Sequence, residues 1–155
     1  AAIVSDTVMF KSPTCTQVDV DQVNFLADKL GIADRCEFLG WVVGEDKERL
    51  FSRAGVYCLP SKNEGMPMSV LEAMAHGIPT VSTPVGGVPQ VIEDSVDGFL
   101  FPVDDENRLS EIIDQLLESP ELRKRIGSAG RAKIAARFDI EASVRQLVSL
   151  YERIA

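Results

Sequence analysis

Glu64 and Glu72 lie eight residues apart, one in a loop and one inside a predicted helix. Ionised carboxylates accept hydrogen bonds from hydroxyl groups, so a pair at one rim suits a polyhydroxylated ligand. Between them runs Gly65-Met66-Pro67-Met68-Ser69-Val70-Leu71. Pro67 has the preset φ of a first helical position, where the missing N–H has no partner to lose. The N–H groups of Met68, Ser69 and Val70 are then free at the helix start, with the positive end of the helix dipole behind them. That arrangement cradles a phosphate. Gly65 lacks a Cβ and lets the backbone approach a ligand closely. The chemistry of the stretch is therefore one anion cradle flanked by two hydroxyl acceptors.

Three plainer readings compete. Ser69-x-x-Glu72 matches a capping box, in which Glu72 would serve only its own helix. A helix that starts at Pro67 puts Glu72 too deep for that role. Glu64 also reads as a solvated loop acid. A glycosidase acid/base pair would need its two carboxyl groups to face one bond from opposite sides. A loop–helix pair on one side of a cleft is poorly arranged for it.

The elements around the stretch explain its placement. Gly55-Val56-Tyr57-Cys58-Leu59-Pro60 is a short apolar run and reads as a buried strand. Val70-Leu71-Glu72-Ala73-Met74-Ala75 reads as a helix that stops at Gly77. The order strand, loop, helix puts the two acids at the carboxyl end of a strand, where α/β sheets hold their ligands. The same alternation extends along the chain. Ala1-Ala2-Ile3-Val4 with Val8-Met9-Phe10 reads as a broken strand, and 20–30 as a helix capped by Asp19 and stopped by Gly31. Cys36-Glu37-Phe38-Leu39-Gly40 is expected to be a short strand and 45–54 a helix with its acids at the front. Pro79-Thr80-Val81-Ser82-Thr83 is the next strand, then a tight turn at Gly86-Gly87-Val88-Pro89 and a brief helical turn from Val91-Ile92. Asp97-Gly98-Phe99-Leu100-Phe101 is a turn and an outer strand.

After Pro102 the pattern is helical. Leu109, Ile112, Ile113, Leu116 and Leu117 make one face, and Ser119-Pro120 punctuates. Leu122, Ile126, Ala129 and Ile134 continue a second helix. Ile140, Val144, Leu147, Val148, Tyr151 and Ile154 form a third stripe, either core or a packing face for another domain. This rhythm predicts an α/β fold with a parallel sheet covered by helices on both faces.

With 155 residues the chain suits one domain. A net charge of −8 and the lack of a basic stripe argue against nucleic acid as a partner. Any phosphate must then be held by local donors. Cys15, Cys36 and Cys58 are odd in number and contain no C-x-x-C, which fits reduced thiols in a cytosolic setting. His76, the only histidine, sits at a helix end and reads as a favourable C-terminal cation or a surface group. No apolar run is long enough to span a bilayer, and no signal peptide opens the chain.

The run Pro60-Ser61-x-x-Glu64-Gly65-x-Pro67-x-x-x-x-Glu72-Ala73-Met74-Ala75-x-Gly77-x-Pro79-Thr80-Val81 resembles the signature of the family 4 retaining glycosyltransferases of GT-B fold. Glu64 and Glu72 match the two ends of that family's E-x7-E motif. Gly86-Gly87-Val88-Pro89, Asp97-Gly98-Phe99-Leu100, Leu30-Gly31-Ile32-Ala33-Asp34-Arg35 and Phe38-Leu39-Gly40-Trp41-Val42 extend the likeness. It runs from about residue 20 to the end. Many family members carry Glu where this chain has Gln90, so no role is carried over to Gln90.

The resemblance implies a Rossmann-like domain that forms one half of a GT-B architecture. Residues 1–155 would be the nucleotide-sugar-binding domain, with the acceptor-binding domain and a first strand outside the chain. Glu72 would accept hydrogen bonds from the ribose. Glu64, as the catalytic positioning group, would hold the donor sugar's hydroxyls with Gly65, Met66 and Pro67. Met68 and Ser69 would hold the diphosphate through their N–H groups, and Trp41 and Val42 would flank the base. The donor would be a nucleotide-diphosphate sugar, with no metal or other cofactor needed. An Arg and a Lys that neutralise the diphosphate in the family have no counterpart in this chain. The isolated chain is accordingly expected to be inactive. Its expected location is cytoplasmic, with peripheral membrane contact through the missing half. A nucleotide-sugar-binding module without turnover and a sugar-nucleotide epimerase of related fold are the rival readings.

Overall fold

The structure is a computed structural model describing residues 2–5, 25, 28, 29, 31, 33–37, 39, 42–138 and 140–154. Among the described residues four strands, β1 (Ala2–Ser5), β2 (Ala54–Leu59), β3 (Thr80–Ser82) and β4 (Phe99–Leu100), make one sheet in the order β1-β2-β3-β4. Every neighbouring pair is parallel, with Val4 opposite Tyr57, Cys58 opposite Val81 and Ser82 opposite Leu100. Parallel neighbours need crossovers, and helices supply them. The helices are α1 (Glu45–Arg53), α2 (Met68–Ala75), α3 (Val88–Val91), α4 (Glu106–Glu118), α5 (Pro120–Arg137) and α6 (Ile140–Ile154).

Alternation along β2 divides the core in two. Tyr57 and Leu59 join Phe51 of α1, Val70, Ala73 and Met74 of α2, and Val88 and Val91 of α3 on one face. Val56 points the other way and packs with Val81, Phe99, Ile112 and Leu116, the last two from α4. The sheet is thus covered on both faces, as the alternating pattern predicts. α5 reaches both layers, with Ile126 in one cluster and Ile134 in the other.

Local chemistry sets the helix ends. Gly77, at φ +75°, closes α2, a conformation that costs an L side chain energy. Gly127 of α5 lies so close that a Cβ there would overlap the Gly77 carbonyl. Asp105 caps α4 by accepting from the Arg108 N–H at 3.0 Å, and Ser119 caps α5 by accepting from Leu122 at 3.1 Å. A buried ion pair, Lys133 Nζ to Asp97 Oδ2 at 2.6 Å, ties α5 to the turn before β4. The other Asp97 oxygen accepts the Glu93 N–H at 2.8 Å.

Two sequence readings are corrected. Cys36, Glu37 and Leu39 are exposed and are not in a strand, as the buried apolar run the reading relied on would require; Phe38 and Gly40 lie outside the described residues. The helical turn near the diglycine starts at Val88 and ends at Val91, with Ile92 already extended. Only Ala2–Ser5 of the first apolar stretch is assigned as strand, and its second part, 8–10, lies outside the described residues. Phe25, Asp28 and Lys29 are helical, in keeping with a helix over 20–30 whose other members are not described. On α6 the apolar stripe is not core: Val144, Leu147, Val148, Tyr151 and Ile154 are all exposed.

Candidate functional site

The loop from Pro60 to Pro67 leaves the carboxyl end of β2 and is held at three points. Thr83 Oγ1, just past β3, donates to the Ser61 carbonyl. Lys62 Nζ pairs with Asp104 Oδ1 at 2.7 Å. Under Glu64 and Gly65 runs the diglycine turn. The Gly87 N–H donates to the Gly65 carbonyl at 2.6 Å. Gly86 has φ +56°, and a Cβ there would overlap the Glu64 carbonyl and stand 2.7 Å from the Gly65 oxygen. A Cβ on Gly87 would meet Met66 Cε at 2.8 Å. Gly86 is therefore required by the backbone it supports, whereas the exposed Met66 tip beside Gly87 can move aside. The turn acts on Glu64 through its main chain.

Pro67 is buried and is the N-cap of α2, with φ −73° and ψ 106°, rather than its first helical residue. The helix begins one residue later than the proline rule suggests, because the extended ψ of Pro67 keeps it outside the helical turn. Its carbonyl accepts the Val70 N–H at 3.1 Å, so Val70 is not a free donor. Met68 and Ser69, as the first two helical residues, have N–H groups without an intrahelical acceptor. These are the two donors expected for a diphosphate.

The capping-box reading of Ser69 and Glu72 fails on two contacts. Tyr57, buried in β2, donates its hydroxyl to Ser69 Oγ at 2.7 Å. Glu72 turns away from its own helix start and pairs with Lys47 of α1. Having accepted from Tyr57, the Ser69 hydroxyl keeps its own proton to donate outward, beside the Ser69 N–H.

The two carboxylates differ in their surroundings. Glu72 is half-exposed and has one oxygen, Oε2, on Lys47 Nζ. Glu64 is half-buried, and its carboxylate has no hydrogen bond or ion pair among the described residues. Gly65 is exposed, and a Cβ there would meet nothing within 4 Å, so its outer face is open. Met66 and Met68 are exposed at the same rim.

Val42 is half-buried and lines a depression of about 400 Å³ with Leu39 and the Asp46, Arg49, Leu50 and Arg53 side of α1. That is a different face of α1 from the one carrying Lys47. Trp41 lies outside the described residues, as does Cys15. Gln90 is exposed on α3. His76 caps α2 at its C-terminal end. Its Nδ1–H donates to the Glu72 carbonyl at 2.8 Å and its Nε2–H to Glu48 Oε2 at 2.9 Å. These two acceptors, the backbone carbonyl first, raise its pKa, as the C-terminal cation reading expects. Cys36 and Cys58 are free thiols, and burial pushes Cys58 up to about 11, which removes it as a nucleophile. Among the described residues no three His, Cys, Asp or Glu side chains converge, and no helix is long and apolar enough to cross a membrane.

Lys47 is the site residue that sequence reasoning missed. It sits within Glu45-Asp46-Lys47-Glu48, where a lone base among helix-start acids reads as solvated, and its partner is 25 residues away.

A parallel α/β domain with helices on both faces of the sheet is the architecture of one half of a GT-B glycosyltransferase. The profile of the glycosyl transferases group 1 matches residues 16–133, and the chain belongs to that family. The amylovoran biosynthesis glycosyltransferase AmsK of Erwinia amylovora is 32% identical over 80% of this chain and 32% of its own length. Among solved structures, sucrose-phosphate synthase from Thermosynechococcus elongatus superimposes with TM-score 0.82 at 27% identity, covering 98% of this chain and 38% of the synthase. HepE from Anabaena, in complex with UDP-glucose, gives TM-score 0.82 at 26% identity, covering 99% of this chain and 41% of HepE. The chain spans about a third of the length of the curated relatives it matches.

Proposed function

We propose that this chain is the donor-binding half of a retaining glycosyltransferase that moves a hexosyl group from a nucleotide-diphosphate sugar to a glycan, lipid or small-molecule acceptor. The observation that carries the reading is the rim at the start of α2. Two free N–H groups stand between one carboxylate with a vacant oxygen and another with no partner among the described residues. Glu72 takes the ribose hydroxyls. Met68 and Ser69 take the diphosphate. Glu64, with the backbone of Gly65, Met66 and Pro67, takes the sugar hydroxyls. Val42 and Trp41 are the residues assigned to the base. The structure of HepE in complex with UDP-glucose supports this ligand class.

The bond between the anomeric carbon and the diphosphate oxygen breaks while an acceptor hydroxyl oxygen bonds to the same face of that carbon and gives its proton to the departing diphosphate, so configuration is retained. Negative charge grows on the departing diphosphate. Fixed N–H donors at a helix start stabilise that charge more in the transition state than before it. Glu64 contributes orientation, an effect that reaches roughly 7 kcal/mol or more in favourable cases. Neither carboxylate is a nucleophile in this scheme, and no metal takes part. The acceptor domain and the family's diphosphate-binding Arg and Lys would come from outside these 155 residues, so the chain alone binds donor weakly and transfers no sugar.

The test is saturation-transfer NMR of the chain with a panel of nucleoside diphosphates and nucleotide sugars, repeated on Glu72→Ala. One nucleotide should show ribose contacts that disappear in the variant. Ribose contacts that survive Glu72→Ala would remove Glu72 from the site. Sugar transfer by the isolated chain would overturn its assignment as a donor-binding half without activity of its own.

A further inference from the structure

We propose that Lys47 is a positioning residue for the ribose-binding carboxylate: it holds Glu72 in one orientation, one oxygen engaged and the other turned to the ligand. The inference rests on the reading of Glu72 given above.

Lys47 reaches Glu72 across the gap between α1 and α2 and bonds Oε2. Its own position is fixed. The Nζ lies 5.7 Å from the centroid of the Phe51 ring, one helical turn further along α1. Phe51 is buried and meets Tyr57 edge-on at 6.2 Å and His76 at 5.1 Å. Tyr57 in turn hydrogen-bonds Ser69. The lysine head therefore stands over a ring that is part of the core and is shared between that ring and one carboxylate oxygen.

A glutamate on an exposed helix face samples several rotamers, and ordering it on ligand binding costs entropy. A partner that orders it beforehand removes that cost from the binding step. A carboxylate also has more acceptor sites than one ammonium N–H uses, so Oε1 and the remaining capacity of Oε2 stay open to hydroxyl donors. Electrostatics adds a second reason. The site sets a diphosphate beside two carboxylates in a chain of net charge −8. Among the described residues Lys47 is the one cation in contact with either carboxylate. Glu48, the nearest acid on the same element, is engaged by His76 rather than by Lys47.

A plain inter-helix ion pair would affect stability without regard to the ligand's ribose. The experiment therefore compares uridine diphosphate with 2′,3′-dideoxyuridine diphosphate, which lacks both ribose hydroxyls, by NMR titration of the chain. Glu72→Gln should weaken uridine diphosphate about tenfold or more and erase the preference over the dideoxy compound, since a hydrogen bond to a charged group is lost. Lys47→Met should weaken uridine diphosphate roughly three- to tenfold and leave the dideoxy compound within about twofold. Lys47→Arg, which keeps the bond, should stay within about twofold of the parent on both ligands. Combined with Glu72→Gln, Lys47→Met should add less than about twofold. Lys47→Gln serves as the second truncation if the Met variant melts early.

Equal loss on both nucleotides, no loss, or tighter binding in the Lys47 variants would overturn the positioning role. A Glu72→Gln variant that keeps its ribose preference would instead overturn the Glu72 assignment, so the two failures are distinct.

Discussion

Asp97, Glu72 and Glu64 carry the same carboxylate in three states of engagement. Asp97 is buried and has both oxygens occupied, by Lys133 Nζ and by the Glu93 N–H. Glu72 is half-exposed with one oxygen occupied. Glu64 has no partner among the described residues. Asp97 sits away from the rim of α2, while the other two flank the helix start. Burial forces full satisfaction, because an unpaired buried charge is costly. A carboxylate at a rim is free to keep acceptor capacity in reserve. The contrast separates an acid that holds the fold from two that keep acceptor capacity in reserve.

The largest expected effect breaks the satisfied end of this series. Asp97→Ala leaves Lys133 buried without its partner and should cost about 3–5 kcal/mol of stability, measured by chemical denaturation. A loss under about 1 kcal/mol would mean the pair is solvated after all. Gly86→Ala attacks the open end through the backbone. The positive φ and the overlap with the Glu64 carbonyl should cost about 1–3 kcal/mol. Binding of a nucleotide sugar should fall more than binding of the matching nucleoside diphosphate, because Glu64 moves and Glu72 does not. Equal loss on both ligands would place the two acids in one rigid unit.

Glu64→Gln in the full-length protein sharpens the comparison further. Sugar transfer should drop about a hundredfold while nucleoside diphosphate affinity stays within about twofold, the split expected when orientation of the sugar is lost. Tyr57→Phe removes the hydroxyl that holds Ser69 Oγ and should lower stability by about 0.5–1.5 kcal/mol in a thermal melt. The smallest effect concerns His76. Its pKa is raised in the folded state, so its contribution is fully present below the unfolded value near 6.5 and disappears as pH rises through the folded value. The Tm difference between parent and His76→Gln should therefore be larger at pH 5.5 than at pH 8.5. A constant difference would show that the imidazole works by packing on Phe51 alone.

Much of this was legible in the residues. The apolar run 55–59, the stop at Gly77 and the stripes after Pro102 have local causes, so periodicity and turn chemistry found them. The strand, loop and helix that carry Glu64 and Glu72 were legible because their spacing is local. The errors were of two kinds. Boundary errors moved the α2 start from Met68 to Pro67 and the α3 start from Val88 to Val91, since a proline permits a helix start without fixing its register. The other kind was long-range. An expected strand at 36–40 depended on burial, and Cys36, Glu37 and Leu39 are exposed. Lys47, Gly86 and Tyr57 matter through contacts made 12 to 25 residues away. No local pattern marks such partners.

α5 carries a further consequence. It is the only helix of the described core with side chains in both buried clusters, Ile126 in one and Ile134 in the other. The two layers on either side of the sheet therefore share one strut. Releasing α5 would expose both at once and free the Gly77 turn that ends α2. Opening of the ligand rim and opening of the opposite layer are then a single cooperative event, and backbone amides from β2, α2 and α4 should exchange with solvent at a common rate.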